Sequence, residues 1–293
     1  MSARILPRRG LLAPMREVVR AHRRLMQPRR AFAARQRGFI LGYSRGGGGA
    51  PFLVDAADFD GAGGDFALNA AGGFTGAAAS QKFTLVFWLN WDAFTEASPN
   101  GILVLNSNDQ GLVVSAITGP KIRVVGAAPG TILDIESTNA FSAGAWTCFL
   151  ISVDLSDTAK RHLYHGDTSN LTVTTYLTSD NIAFHHASGH DLVGALDDVG
   201  TGELDSGVAE LWFEDGVYTD FSLQANRRKW YGTNGKPANV GTDGSTPTGT
   251  SPLVYFHLDD GETANNFLVN AGTGGNLTLQ GGTLTTRASS PSD

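Results

Sequence analysis

The sequence predicts an all-β fold, a two-sheet antiparallel sandwich, and three observations carry that expectation. Glycine occurs 37 times in 293 residues while charged residues are only 17 % of the chain. Short runs of β-branched and aromatic residues recur from about residue 51 to the C-terminus, and Asn, Gly and Pro punctuate them at regular intervals. More than ten such runs, with turn residues between them, are the pattern of a sandwich, and the length suits one all-β domain of roughly 200 to 250 residues with an appendage.

PFLVDAADFDG (51–61) reads as an opening strand and turn, with FALN (66–69) as its return. FTLVFWLNWD (83–92) alternates Phe83, Leu85, Phe87, Leu89 and Trp91 on one face, which must be core. GILVLNSND, GLVVSAITG and KIRVVGAAPG (101–130) follow as an antiparallel meander. TILDIEST (131–138), WTCFLISVDL (146–155), RHLYHGD (161–167), LTVTTYLTSD (171–180), HDLVGAL (190–196) and GVAELWFEDGVY (207–218) continue the series. SLQANRRKWYG (222–232) is the helical stretch of the body, with Ser222 as N-cap and Gly232 as stop. LVYFHLDD and NLTLQGGTLTT supply the closing strands. Cys148 is the single cysteine, so no intramolecular disulfide or thiolate zinc site can form, and its apolar strand marks it as a small core residue.

The net charge of −6 conceals two unlike parts. Residues 1–45 hold twelve Arg and one acid, Glu17, and so carry +11; the remaining ten basic and 27 acidic residues give the rest −17. We therefore divide the chain into a basic arm, 1–48, and a domain, 49–293. Within the arm Leu11, Met15, Val18, His22 and Leu25 fall at helical spacing, with Arg on the other face, until Pro28. Four roles fit it: an organellar presequence, a nucleic-acid contact, a membrane-surface helix, or an arm that orders on a partner protein. A solvated tail is the plain alternative. The docking arm is preferred, with Arg8, Arg9, Arg16, Arg20, Arg23, Arg24, Arg29 and Arg30 as anchors, and nucleic acid stays open as a partner. No apolar stretch is long enough for a transmembrane helix, and no apolar core of a secretion signal opens the chain.

GAWTCFLISVDLSDTAKRHLYHGD resembles the laminin-G-like segment in which Trp opens a central strand, Asp ends it, and a hairpin runs L-Y-x-G. Those positions are Trp146, Asp154, Leu163, Tyr164 and Gly166. GVAELWFEDGVYTDFSLQANRRKWYG resembles the segment that follows, through Gly207, Val208, Leu211, Phe213 and the stretch from Leu223 onward. The resemblance spans most of residues 50–285 and implies a concanavalin A-like jelly roll. The opening FDGAGGDFALNAAGGF and the tail GTGGNLTLQGGTLTTRASSPSD resemble the ends of phage-encoded laminin-G-like structural proteins. That likeness implies a virion component of a tailed bacteriophage or gene transfer agent, oligomeric within its particle, whose basic arm docks on other virion proteins. A fold alone implies no such role.

Four groups of residues have potential for chemistry. TILDIEST is one residue short of the E-[LI]-D-[IV]-E strand of family-16 β-glucanases. Strand alternation puts Ile132, Asp134 and Glu136 on one face and Leu133 and Ile135 toward the core. Ile132 stands where the nucleophilic carboxylate must be, and a hydrocarbon cannot attack an anomeric carbon, so no enzyme is expected. Asp134 and Glu136, on a solvated face, remain candidate glycan contacts beside Trp230 and Tyr231; Trp91 is a further stacking candidate, though core packing explains Trp88, Trp91 and Trp212 equally well. His185, His186, His190 and Asp191 cluster in HHASGHD, which reads more readily as a polar loop than as a metal site. Asp197, Asp198, Glu203 and Asp205, with Asp58 and Asp60, offer oxygen ligands for calcium, which laminin-G-like domains bind in some cases; solubilising loop acids are the plainer account. No cofactor is expected apart from that calcium. The leading expectation is a non-enzymatic virion structural protein. Its alternative is an adhesin for host surface polysaccharide, and glycoside hydrolysis ranks last.

Overall fold

A computed structural model describes residues 52–61, 65–69, 72–92, 99–107, 111–127, 130–177, 180–185 and 189–293. The chain divides between residues 49 and 50, and everything described falls in the second unit. The arm and its eight candidate anchoring arginines lie outside the described residues, as does His186.

The strands are β1 (Val54–Asp55), β2 (Ala57–Asp60), β3 (Ala67–Leu68), β4 (Lys82–Trp91), β5 (Asn100–Leu105) and β6 (Leu112–Ile117). Next come β7 (Lys121–Ala127), β8 (Thr131–Glu136), β9 (Trp146–Asp154), β10 (Arg161–His165), β11 (Thr168–Ser169) and β12 (Thr172–Tyr176). The series ends with β13 (Leu192–Val193), β14 (Asp205–Asp215), β15 (Val254–Phe256), β16 (Leu258–Asp259), β17 (Thr278–Leu279) and β18 (Thr285–Thr286). Between β14 and β15 lies one short helix, α1 (Gln224–Arg227).

Two eight-stranded antiparallel sheets form the jelly-roll sandwich. The first runs β11-β10-β9-β4-β14-β2-β18, with β15 also paired to β14; the second runs β12-β8-β7-β6-β5-β13-β3-β17. Phe83, Leu85, Phe87, Leu89 and Trp91 of β4 face the second sheet and pack in the main core with Leu103, Leu105, Val114, Val124, Leu133 and Ile135. The first sheet is apolar on its other face too. There Val86, Trp88, Cys148, Leu150 and Trp212 meet Phe221, Trp230 and Val240 of the long connection between β14 and β15. Burial on both faces explains why β4 and β9 read as nearly unbroken apolar runs. It also pushes the Cys148 thiol well up, so the residue packs as a hydrophobe.

Three expectations need correction. FALN is not the return of β2, because β14 and β18 occupy both edges of that strand; β3 instead crosses to the second sheet and pairs with β13 and β17. The expected helix over 222–232 contracts to four residues with Leu223 as N-cap, since the Ser222 N–H and Oγ both donate to Asp220 Oδ1, at 2.9 and 2.5 Å. Finally, Ile132 does not share the face of Asp134. Gly126 pairs with Leu133 and Ala127 with Thr131, so Ile132 is the extra residue of a bulge and turns into the main core.

Candidate functional site

The outer face of the second sheet is where register, shape and polarity come together. The meander places Leu192, Val104, Val113, Val125, Asp134 and Thr175 directly opposite one another in a single row across β13, β5, β6, β7, β8 and β12. A second row runs Gly101, Ser115, Arg123, Glu136 and Thr172. Alternation explains both rows: Ile122 and Val124 enter the core, so Lys121, Arg123 and Val125 must point out.

Over the first row lies a depression of about 200 Å³. Val104, Val113, Val125 and Leu196 give it an apolar floor, and Asn106, Ser107 and Thr131 contribute polar groups. The connection from β13 to β14 walls one side, crossing β5 so closely that a Cβ on Gly101 would lie 2.1 Å from the Ala195 carbonyl oxygen. Asn106 holds a left-handed φ of 63° and is fixed by Asp191, whose Oδ1 accepts its N–H at 2.8 Å. Asp191 Oδ2 accepts the Phe74 N–H at 2.5 Å and the Asn69 side-chain amide at 3.3 Å. One buried carboxylate thus ties three loops together, and burial raises its pKa despite those donors.

Beside the floor, Arg123 clasps Asp134 in a two-pronged ion pair, Nε to Oδ1 at 2.9 Å and Nη2 to Oδ2 at 2.6 Å. Lys121 sits 3.6 Å from Glu136. Asp134, expected on a solvated face, is 7 % exposed because Arg123 covers it, whereas the Arg123 side chain is 44 % exposed. Charge-assisted bonding to Asp134 raises the guanidinium pKa.

The other candidate glycan contacts lie on the first sheet, away from this face. Trp230 is 3 % exposed and packs edge-on against Trp212 and Phe221, so it offers no stacking platform, and Trp91 is a core residue. Tyr231 is half-buried, between Trp88 at 5.7 Å and the Arg228 guanidinium at 5.2 Å. The calcium candidates are likewise separated in role. Asp197 Oδ1 accepts the N–H groups of Val199 and Thr201 in its own loop, at 3.2 and 2.8 Å. Asp198 is 3.8 Å from His190 Nε2. Asp205 lies near Asp58, Asp92 and Arg287, and burial with those carboxylates pushes it up to about 6. Among the described residues no group of three or more His, Cys, Asp or Glu is arranged to hold a metal ion. His185 is exposed and His190 bonds the Asn69 carbonyl through Nδ1.

One constellation absent from the sequence reading resembles a nucleophile site. Ser137 Oγ lies 3.0 Å from His165 Nε2, and Asn170 Nδ2 lies 2.8 Å from His165 Nδ1. Asn170 is oriented by the Asn139 N–H, which donates to its Oδ1 at 2.7 Å. Asn170 Nδ2 also lies 3.1 Å from His165 Nε2, and the Ile122 N–H donates to Ser137 Oγ at 3.2 Å, so the serine, the imidazole and the amide belong to one internal polar network. Ser137 is fully buried, and burial presses His165 down to about 4. This network ties the turn after β8 to the end of β10.

No family model and no curated protein matches the sequence. Among solved structures, the fold is similar to that of a candidate carbohydrate-binding protein from Bacteroides ovatus, with TM-score 0.56 and 15 % identity over 82 % of this chain. The chain spans 61 % of that protein's length. Weaker likenesses include the SAP-like pentraxin of Limulus polyphemus (TM-score 0.43, 10 % identity, 59 % of this chain and 82 % of that one). Another is the binding domain of botulinum neurotoxin serotype G (TM-score 0.38, 13 % identity, 50 % and 36 %). At these identities the likeness is one of fold. Among the described residues no helix is long and apolar enough to cross a membrane.

Proposed function

We propose that this protein is a non-catalytic saccharide-binding module, an adhesin that receives a sugar of a surface polysaccharide in the depression on the second sheet. The observation that carries the reading is the depression itself. Its valine and leucine floor suits the C–H face of a pyranose, hydroxyl and amide groups line it, and Asp134 stands across from Val125 on the next strand. The similarity of fold to a candidate carbohydrate-binding protein supports the same reading. Catalysis is not part of it: Ile132 turns into the core and carries no carboxylate, Asp134 is bound to Arg123, and Ser137 is buried. Binding of this kind draws on no cofactor.

The test is a glycan array of neutral and acidic polysaccharides probed with the full chain and with Val125→Trp, which fills the depression from an outward-facing position. The wild type should bind and the variant should lose at least about tenfold, as expected when a small site is occluded. A wild type that binds no polysaccharide removes the reading, and a variant that binds normally places the site elsewhere.

The charge division, +11 in residues 1–45 against −17 in the remainder, favours a second reading of where the module works. In it the arm docks on other virion proteins and the domain is displayed on the particle toward host glycan. Particles assembled with a chain lacking residues 1–45 should not incorporate it; normal incorporation would count against an anchoring arm.

A further inference from the structure

The second sheet also carries information about which sugars the depression would take, an inference that rests on the saccharide-binding reading. Asp134 stands directly opposite Val125, one strand spacing of about 4.8 Å away, and Arg123 is two residues from Val125 on the same face. A pyranose ring, roughly 5 Å across, that lies on Val113 and Val125 therefore brings its edge hydroxyls to the Arg123–Asp134 pair. In that pair each carboxylate oxygen accepts one guanidinium N–H, at 2.9 and 2.6 Å. Each oxygen keeps a further lone pair, while Nη1 and the second Nη2 proton remain donors. Two neighbouring hydroxyls, each of which donates and accepts, match that set, and the two-pronged bond holds it in place before a ligand arrives.

The charge of the site selects further. Arg123 is neutralised by Asp134, Lys121 is paired with Glu136, and the body as a whole is strongly acidic. Among the described residues a carboxylated or sulfated sugar would meet no uncompensated cation here, and the acidic body puts a repulsive field around it.

We propose that the Arg123–Asp134 pair is a diol-recognition subsite that makes the depression select neutral pyranosides with vicinal hydroxyls over uronic, sulfated or deoxygenated sugars. The full chain, Arg123→Lys, Asp134→Asn and Val125→Trp are compared on one array of neutral hexose, deoxyhexose, uronate and sulfated oligosaccharides. The wild type should prefer the neutral vicinal diols. Arg123→Lys, which keeps the charge but not the fork, and Asp134→Asn should each weaken those ligands about tenfold and flatten the ranking, with thermal melting confirming that both fold. If both variants keep wild-type affinity and ranking while Val125→Trp abolishes binding, the diol subsite is overturned and the depression survives as the site. A wild type whose strongest ligands are uronates or sulfates also overturns the subsite. Binding to no sugar at all removes both.

Discussion

Replacing Glu210 by Gln should stabilise the protein at neutral pH while leaving it nearly unchanged in acid. Glu210 sits at the bulge where β14 slips against β4, with a left-handed φ of 51° and 5 % exposure. Its Oε2 accepts the Tyr255 hydroxyl at 2.8 Å, and its Oε1 is buried with no hydrogen-bond partner among the described residues. Burial, with a smaller push from Asp259, raises its pKa from 4.5 to about 8, even though the Tyr255 bond lowers it. The folded state therefore holds the proton more tightly than the unfolded state. The associated stability is complete below pH 4.5, falls as pH rises toward about 8, and is then constant. Each pH unit in that window is worth about 1.4 kcal/mol, which integrates to about 3 kcal/mol at pH 7 and about 5 kcal/mol above the folded pKa. Gln is nearly isosteric, keeps an acceptor for Tyr255 and never ionises, so the variant lacks this loss. Urea unfolding of both proteins from pH 4 to pH 9 measures it: the stability difference should open across the window. Parallel stability curves would refute the reasoning and mean that water reaches the carboxylate.

Other buried acids act in the same direction, and several substitutions probe separate parts of the fold. Asp65 and Glu214 are pushed up to about 7 and Asp205 to about 6, largely by burial, so the wild type should be more stable at pH 5 than at pH 8 in thermal melts; a higher melting temperature at pH 8 would contradict this. Asp191→Ala leaves the N–H groups of Asn106 and Phe74 and the Asn69 amide without their acceptor, and at about 1–3 kcal/mol for each buried orphan should cost about 4 kcal/mol in denaturant unfolding. Gly101→Ala forces a Cβ to within 2.1 Å of the Ala195 carbonyl and should destabilise by about 1–3 kcal/mol, with faster proteolysis of the wall it displaces. Arg287 joins Asp58 and Asp92, so Arg287→Met should destabilise by about 1–2 kcal/mol in urea unfolding at neutral pH, and an unchanged midpoint would contradict this.

Much of the body was legible because strand alternation is a local property. The face of β4, the meander from β5 to β8, the Trp146-to-Asp154 strand and the buried Cys148 all follow from period-two patterning and turn residues, which need no knowledge of partners. The outward row Lys121, Arg123 and Val125 is legible in the same way, since KIRVV alternates as plainly as TILDIE. Ile132 misled, because a bulge is set by how two strands match in length and register, and one strand alone does not contain it. Trp230 and Tyr231 misled for a related reason: the connection that carries them folds back over the first sheet, giving that sheet a second apolar layer.

What the sequence determined by itself was the class of fold and the separation of charge between arm and body. Each depends on residue type and on neighbours one or two positions away. The tertiary structure decided which carboxylates are spent on internal bonds, which aromatics are covered, and that the chain near Asn106 and Leu196 closes over the valines of the second sheet to make a depression. Those outcomes depend on long-range pairing, where one added residue moves a side chain from solvent to core.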